Sequence, residues 1–124
     1  MDDTVKLVVY DMENAPSEKE GLREWIKRQE EGLTAYEQAG AAAAAPDLQG
    51  WFLEMIRNFP PKSGELAPDQ DKVDKSQELR LHLTDYQIGK NMICASLRQE
   101  AGKQAQDVAE KLAMVYDVGF LRLE

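Results

Sequence analysis

Apolar and polar positions alternate in a way that marks several elements before any chemistry is considered. Val5-Lys6-Leu7-Val8-Val9-Tyr10 is rich in β-branched and apolar residues and predicts a first strand. It stops at Asp11-Met12-Glu13-Asn14-Ala15-Pro16, a turn-forming stretch. Ser17 and Glu20 have the spacing of a capping box. Leu22, Trp25, Ile26 and Leu33 then recur at helical spacing, with Arg23, Glu24, Lys27, Arg28 and Glu30 facing water. Gly32 marks the end of that helix.

The alanine-rich segment 34–45 favours helix but offers little area to a core, so it reads as a linker or an extra helical turn. Pro46 suits the first turn of the next helix. There Leu48, Trp51, Phe52, Met55, Ile56 and Phe59 repeat at three and four, the clearest amphipathic stripe in the chain. Pro60-Pro61 ends it. The stretch 61–78 is polar and reads as a long surface loop. Leu79, Leu81 and Leu83 alternate with Arg80, His82 and Thr84 and predict a half-buried strand that continues through Tyr86 and Ile88. Gly89-Lys90 turns the chain into a return strand, Met92 to Leu97. A further helix runs from about Arg98 to Tyr116, with Ala101, Ala105, Val108, Ala109, Leu112, Ala113 and Tyr116 on one face. Val118 to Leu123 reads as a last strand.

The order predicts one α+β domain over residues 1–124. Its plan is the split β-α-β-β-α-β arrangement, ferredoxin-like, with a doubled first helix. The expected sheet is four-stranded and mainly antiparallel, with the helices packed on one face. Val5, Leu7 and Val9 would face the helices. Lys6, Val8 and Tyr10 would line an open face suited to a partner or a second copy.

Composition narrows the chemistry. With 15 Lys and Arg against 23 Asp and Glu, the net charge is −8 over 124 residues. Phosphate backbones repel such a chain, which argues against nucleic acid and for a basic protein partner. No apolar run approaches the ~18 residues of a membrane span. The acidic start, Met1-Asp2-Asp3, lacks the apolar core of a signal peptide, so a cytoplasmic location is expected. One cysteine, Cys94, and one histidine, His82, exclude an internal disulfide and His- or Cys-rich metal sites.

Neither residue has a catalytic partner beside it: His82 reads as a strand histidine, Cys94 as a packed thiol. In Asp69-Gln70-Asp71-Lys72-Val73-Asp74, a calcium loop would need an oxygen ligand where Val73 stands and glycine where Asp74 stands. Isolated glycines form no phosphate-cradling motif. No metal, no cofactor and no catalytic set is therefore expected.

One group stands apart. Tyr10-Asp11 ends the first strand, and Asp85-Tyr86 lies in the central hairpin. If these strands were adjacent, two Tyr-Asp pairs would meet on one surface. Aspartate supplies charge there, and tyrosine a rigid contact with a polar tip. Glu54, on the aromatic helix, would join them if a pocket formed.

Several pieces together resemble a group of small, largely uncharacterised bacterial proteins. They are Val9-Tyr10-Asp11-Met12, Ala15-Pro16 and Trp25, Leu48 to Ile56 with Phe59-Pro60-Pro61, Asp85 to Gly89, and Val118-Gly119-Phe120. Proteins of that type are suspected to be immunity partners of secreted toxins. The resemblance implies an acidic inhibitor that occludes a basic toxin. The alternative is a small enzyme or ligand-binding domain with a carboxylate and tyrosine pocket.

Overall fold

The computed structural model describes residues 4–35, 44–61 and 67–123. Strand β1 (Thr4–Tyr10) leads into helix α1 (Lys19–Glu31) and a two-residue strand β2 (Thr34–Ala35). Helices α2 (Pro46–Asn58), α3 (Gln70–Lys75) and α4 (Gln77–His82) follow. The hairpin β3 (Thr84–Ile88) and β4 (Met92–Arg98) then leads, through a 3₁₀ turn, into α5 (Gly102–Tyr116) and β5 (Gly119–Leu123). The sheet is antiparallel, with strand order β2-β3-β4-β1-β5. The fold is thus α+β, with four longer strands and a short edge strand.

Side-chain parity divides the sheet into two faces. Val5, Leu7 and Val9 of β1 share a face with Ile93, Ala95 and Leu97 of β4, their partners in register. This face packs against α2 and α5 in the main core, where Leu48, Trp51, Phe52, Met55 and Phe59 are fully buried. The inner stripe of α5 is Ala105, Ala109 and Ala113, small enough for the helix to lie close to α2. At this contact the indole N–H of Trp51 donates to the carbonyl of Ala109 at 3.0 Å. That bond satisfies the one polar atom the buried ring carries.

The opposite face is not open, which corrects the expectation that all helices lie on one side. Val8, Met92 and Cys94 form a second core with Ile26 of α1, flanked by Leu22, Trp25 and Tyr10. The stripe on α1 needed an apolar surface, and the Val8–Tyr10 end of the sheet supplies one. The face read as available to a second copy is therefore covered at that end. What stays uncovered is polar: Lys6, Asp85 and Gln87 are exposed and Ser96 half-buried.

Three local readings also change. α1 starts at Lys19 with Glu18 as its N-cap and no side-chain cap bond, so Ser17 lies one position too early for the capping box. The leucine alternation at Leu79–Leu83 is not a strand. Ser76 accepts a hydrogen bond from Leu79 N at 3.1 Å and starts α4, and the strand begins only at Thr84. Inside the stretch read as loop, Gln70–Lys75 is helical. Of the alanine run, Ala41 to Ala43 lie outside the described residues. Ala44 is buried in the main core, and its carbonyl accepts from Gln49 Nε2 at 2.7 Å. Ala45 N donates to Lys90 O at 2.9 Å, tying the start of α2 to the β3–β4 turn. Among the described residues no helix is long and apolar enough to cross a membrane.

Candidate functional site

The two Tyr-Asp pairs do not meet. β4 lies between β1 and β3, so the strands that carry the pairs are not neighbours. Tyr10 pairs with Met92 at one end of β4, whereas Asp85 pairs with Ser96 near the other. Ser96 in turn pairs with Lys6. The offset is four residues along the strand and two strand spacings across, roughly 13 Å by 10 Å.

Each residue has its own setting. Tyr10 is half-buried and meets Trp25 edge to face, with ring centroids 5.9 Å apart. Burial raises its phenol pKa. Asp11 is held by the turn after β1: its carboxylate accepts from Glu13 N at 3.1 Å and from Asn14 Nδ2 at 2.7 Å. This is the turn geometry that aspartate favours through its own side chain. Tyr86 lies on the core face of β3 and is 2% exposed. Its hydroxyl donates to Phe59 O at 2.6 Å, and its ring meets Phe52 edge to face at 5.0 Å. Tyr86 is thus a core residue, not a surface contact, because parity sends alternate residues of β3 inward. Asp85, its neighbour, points outward and is exposed. Glu54 sits on the outer side of α2 beside Arg57 at 3.8 Å, and among the described residues it lines neither of the two best-formed clefts.

The remaining single-residue candidates are structural in setting. Cys94 is 3% exposed in the second core, and burial pushes its thiol pKa up to about 11. His82 ends α4 and stacks on Phe59 at a centroid distance of 4.8 Å. Among the described residues no group of three His, Cys, Asp or Glu side chains is placed to hold a metal ion.

Two features of charge do stand out. First, no described carboxylate is buried, and among the described residues Glu54 is the one in an ion pair. The negative charge therefore projects into solvent. Second, a cleft of about 920 Å³ opens where α1 and β1 diverge. Val5 and Ile26, both buried, belong to its lining, together with Lys6, Arg23, Lys27 and Arg122. Among the described residues Glu30 is the one carboxylate of this lining. Nothing in the sequence marks this group. Arg23 and Lys27 are one turn apart on the water-facing side of α1, and Lys6 is an outward strand position, so each looks like ordinary surface. Only the placement of α1 on the second face brings them together.

No family model, no curated protein and no solved structure is found to match the chain.

Proposed function

We propose that the chain is an acidic interaction protein, acting by binding a basic protein partner, in the manner of an inhibitor or toxin-immunity protein. The observation that carries this reading is that, among the described residues, no carboxylate is buried and Glu54 alone is in an ion pair, on a chain of net charge −8. Such a surface steers a positively charged partner and speeds encounter. Of the residues singled out in the sequence, Asp85 is best suited to contact a partner. It is exposed, outward-facing and free of any local turn. Asp11 and Tyr10 contribute from the far end of the sheet. The separation of Asp11, Glu54, Asp85 and Tyr86 argues against the alternative of a carboxylate and tyrosine pocket. The strand order supports assigning the scaffold to the split β-α-β-β-α-β plan, with β2 as an added edge and α1 moved to the second face.

The test is affinity capture from lysate of the source cells, followed by association kinetics with the captured protein at two salt concentrations. The expected result is a basic partner whose on-rate falls as salt rises and falls again with Asp85→Lys. A partner indifferent to both would overturn the electrostatic reading. Turnover of a small molecule that is lost with Glu54→Gln would replace it with an enzymatic one.

A further inference from the structure

The cleft between α1 and β1 reverses the charge of the rest of the molecule. The whole chain has more acids than bases, 23 against 15, yet among the described residues the rim under α1 has Lys6, Arg23 and Lys27 against the single carboxylate of Glu30. Lys6, Arg23 and Lys27 are exposed, and none of them makes an ion pair. Arg122 of β5 pairs in register with Leu7, and its Nη1 donates to Gln106 Oε1 of α5 at 2.7 Å, so its guanidinium belongs to the main-core face and not to the rim under α1. Like charges gathered at one rim repel one another, and low-dielectric walls concentrate their field in the opening.

The lining is also partly apolar. Ile26 is 2% exposed, and Leu121 adds a half-buried side chain. The two cores are separated by the sheet, and the apolar residues of α1 pack with Val8, Tyr10, Met92 and Cys94 on the second face. Beside Thr4 and Lys6 the helix presents Arg23, Lys27 and Glu30 around Ile26. The result is a cleft with apolar walls and a cationic rim. Its volume lies in the range of about 300–1,000 Å³ typical of sites for small organic ligands.

We propose that this cleft is a binding site for an organic anion: a small molecule with an apolar body and a carboxylate or phosphate head. The body lies against Ile26 and Leu121, and the head is held at the rim by Arg23, Lys27 and Lys6. Guanidinium and ammonium groups give charge-assisted hydrogen bonds to such heads. The proposal rests on the cleft alone and stands or falls apart from the acidic-surface reading.

The test is a ¹H–¹⁵N NMR titration of the full chain with octanoate, with octyl phosphate, with octyltrimethylammonium and with inorganic phosphate. Saturable shifts are expected at the amides of Lys6, Ile26, Lys27 and Leu121 with both octyl anions. The relative affinity of the two identifies the head the rim prefers. The cation, which has the same body, should not saturate these sites, and inorganic phosphate, which has no body, should bind at least about tenfold more weakly. Arg23→Ala with Lys27→Ala should weaken the octyl anions about tenfold, while Arg23→Lys with Lys27→Arg should retain affinity within about threefold. All four changes lie at exposed helix positions, so the native spectrum should persist. Equal binding of the octyl cation, shifts that map elsewhere, or indifference to the alanine pair would each overturn the proposal.

Discussion

The hydroxyl of Tyr86 donates to the backbone carbonyl of Phe59 at 2.6 Å, joining the middle of β3 to the residue that ends α2. Phe59 follows the last turn of its helix, where carbonyls lack intrahelical partners. Tyr86 therefore acts as a side-chain cap delivered from the sheet, while its ring fills the main core against Phe52.

Removing that hydroxyl should cost stability and nothing else. Tyr86→Phe keeps the ring but leaves a buried carbonyl without its partner, a loss of about 1–3 kcal/mol. Urea unfolding should show a lower midpoint with an unchanged slope. Binding to a partner should be unaffected, since the residue is inside. A Tyr86→Phe protein of native stability that no longer binds would reinstate Tyr86 as a contact residue.

Trp51 has two separable roles. Trp51→Phe loses the N–H bond to Ala109 O and part of the ring, whereas Trp51→Ala also opens a cavity between α2, α5 and the sheet. The alanine variant should lose ~3–5 kcal/mol, enough to threaten the fold. Thermal melts should rank wild type, Phe and Ala in that order. An unchanged Trp51→Ala melting curve would displace the ring from the core.

Cys94 should make stability fall in alkali. Its thiol is buried, and burial raises the folded pKa from 9.0 to about 11. Above pH 9 the unfolded thiol ionises while the folded one stays neutral, so the unfolded state holds fewer protons and unfolding becomes easier as pH rises. The window runs from about pH 9 to 11, with a total loss on the order of 2 kcal/mol. Subtracting the stability profile of Cys94→Ala isolates this component from lysine titration. If the two profiles run parallel through that window, the thiol is not shielded as described.

The parts of the fold that could be read in the sequence are those where one periodicity had no rival. The stripe from Leu48 to Phe59 ends at two prolines, and the helix found is Pro46–Asn58. β1, the β3–β4 turn, α5 and β5 were legible for similar reasons. Leu79 to Leu83 misled because three alternating leucines suit a strand, yet Ser76 sets up a helical turn at a distance the alternation does not register. The leucines there are all half-buried, so neither face was strongly demanded. The placement of α1 was not legible at all. Its stripe says that it packs, not on which side of the sheet, and that choice depends on the unused apolar end at Val8 and Met92. The candidate site failed for the same reason. Tyr86 and Asp85 are adjacent in sequence, so they point to opposite faces, and only the register with β4 shows which is inside.

That parity makes Asp85 and Asp11 distinguishable in one experiment. Asp11 holds the turn after β1 through Glu13 N and Asn14 Nδ2, whereas Asp85 accepts no hydrogen bond through its side chain among the described residues. Asp11→Lys should lower stability by about 1–2 kcal/mol, because two donors lose their acceptor and the turn loses its preferred residue. Asp11→Asn, which keeps an acceptor oxygen, should recover much of that. Asp85→Lys should leave the melting curve within about 0.5 kcal/mol of the original, as expected for an exposed position without partners. In partner binding the order should reverse. Asp85→Lys removes a negative charge from the uncovered half of the second face and adds a positive one. The on-rate should fall severalfold at low salt, and the difference should shrink as ions screen the surface over ~8–10 Å. Dissociation should change less, since an exposed charge contributes little once contact is made. Stopped-flow association at two ionic strengths, with melting curves for the same variants, separates the two roles. If Asp85→Lys unfolds the chain, the outward placement of this residue is wrong. If it slows dissociation and association alike at every salt concentration, the carboxylate is not acting through long-range charge.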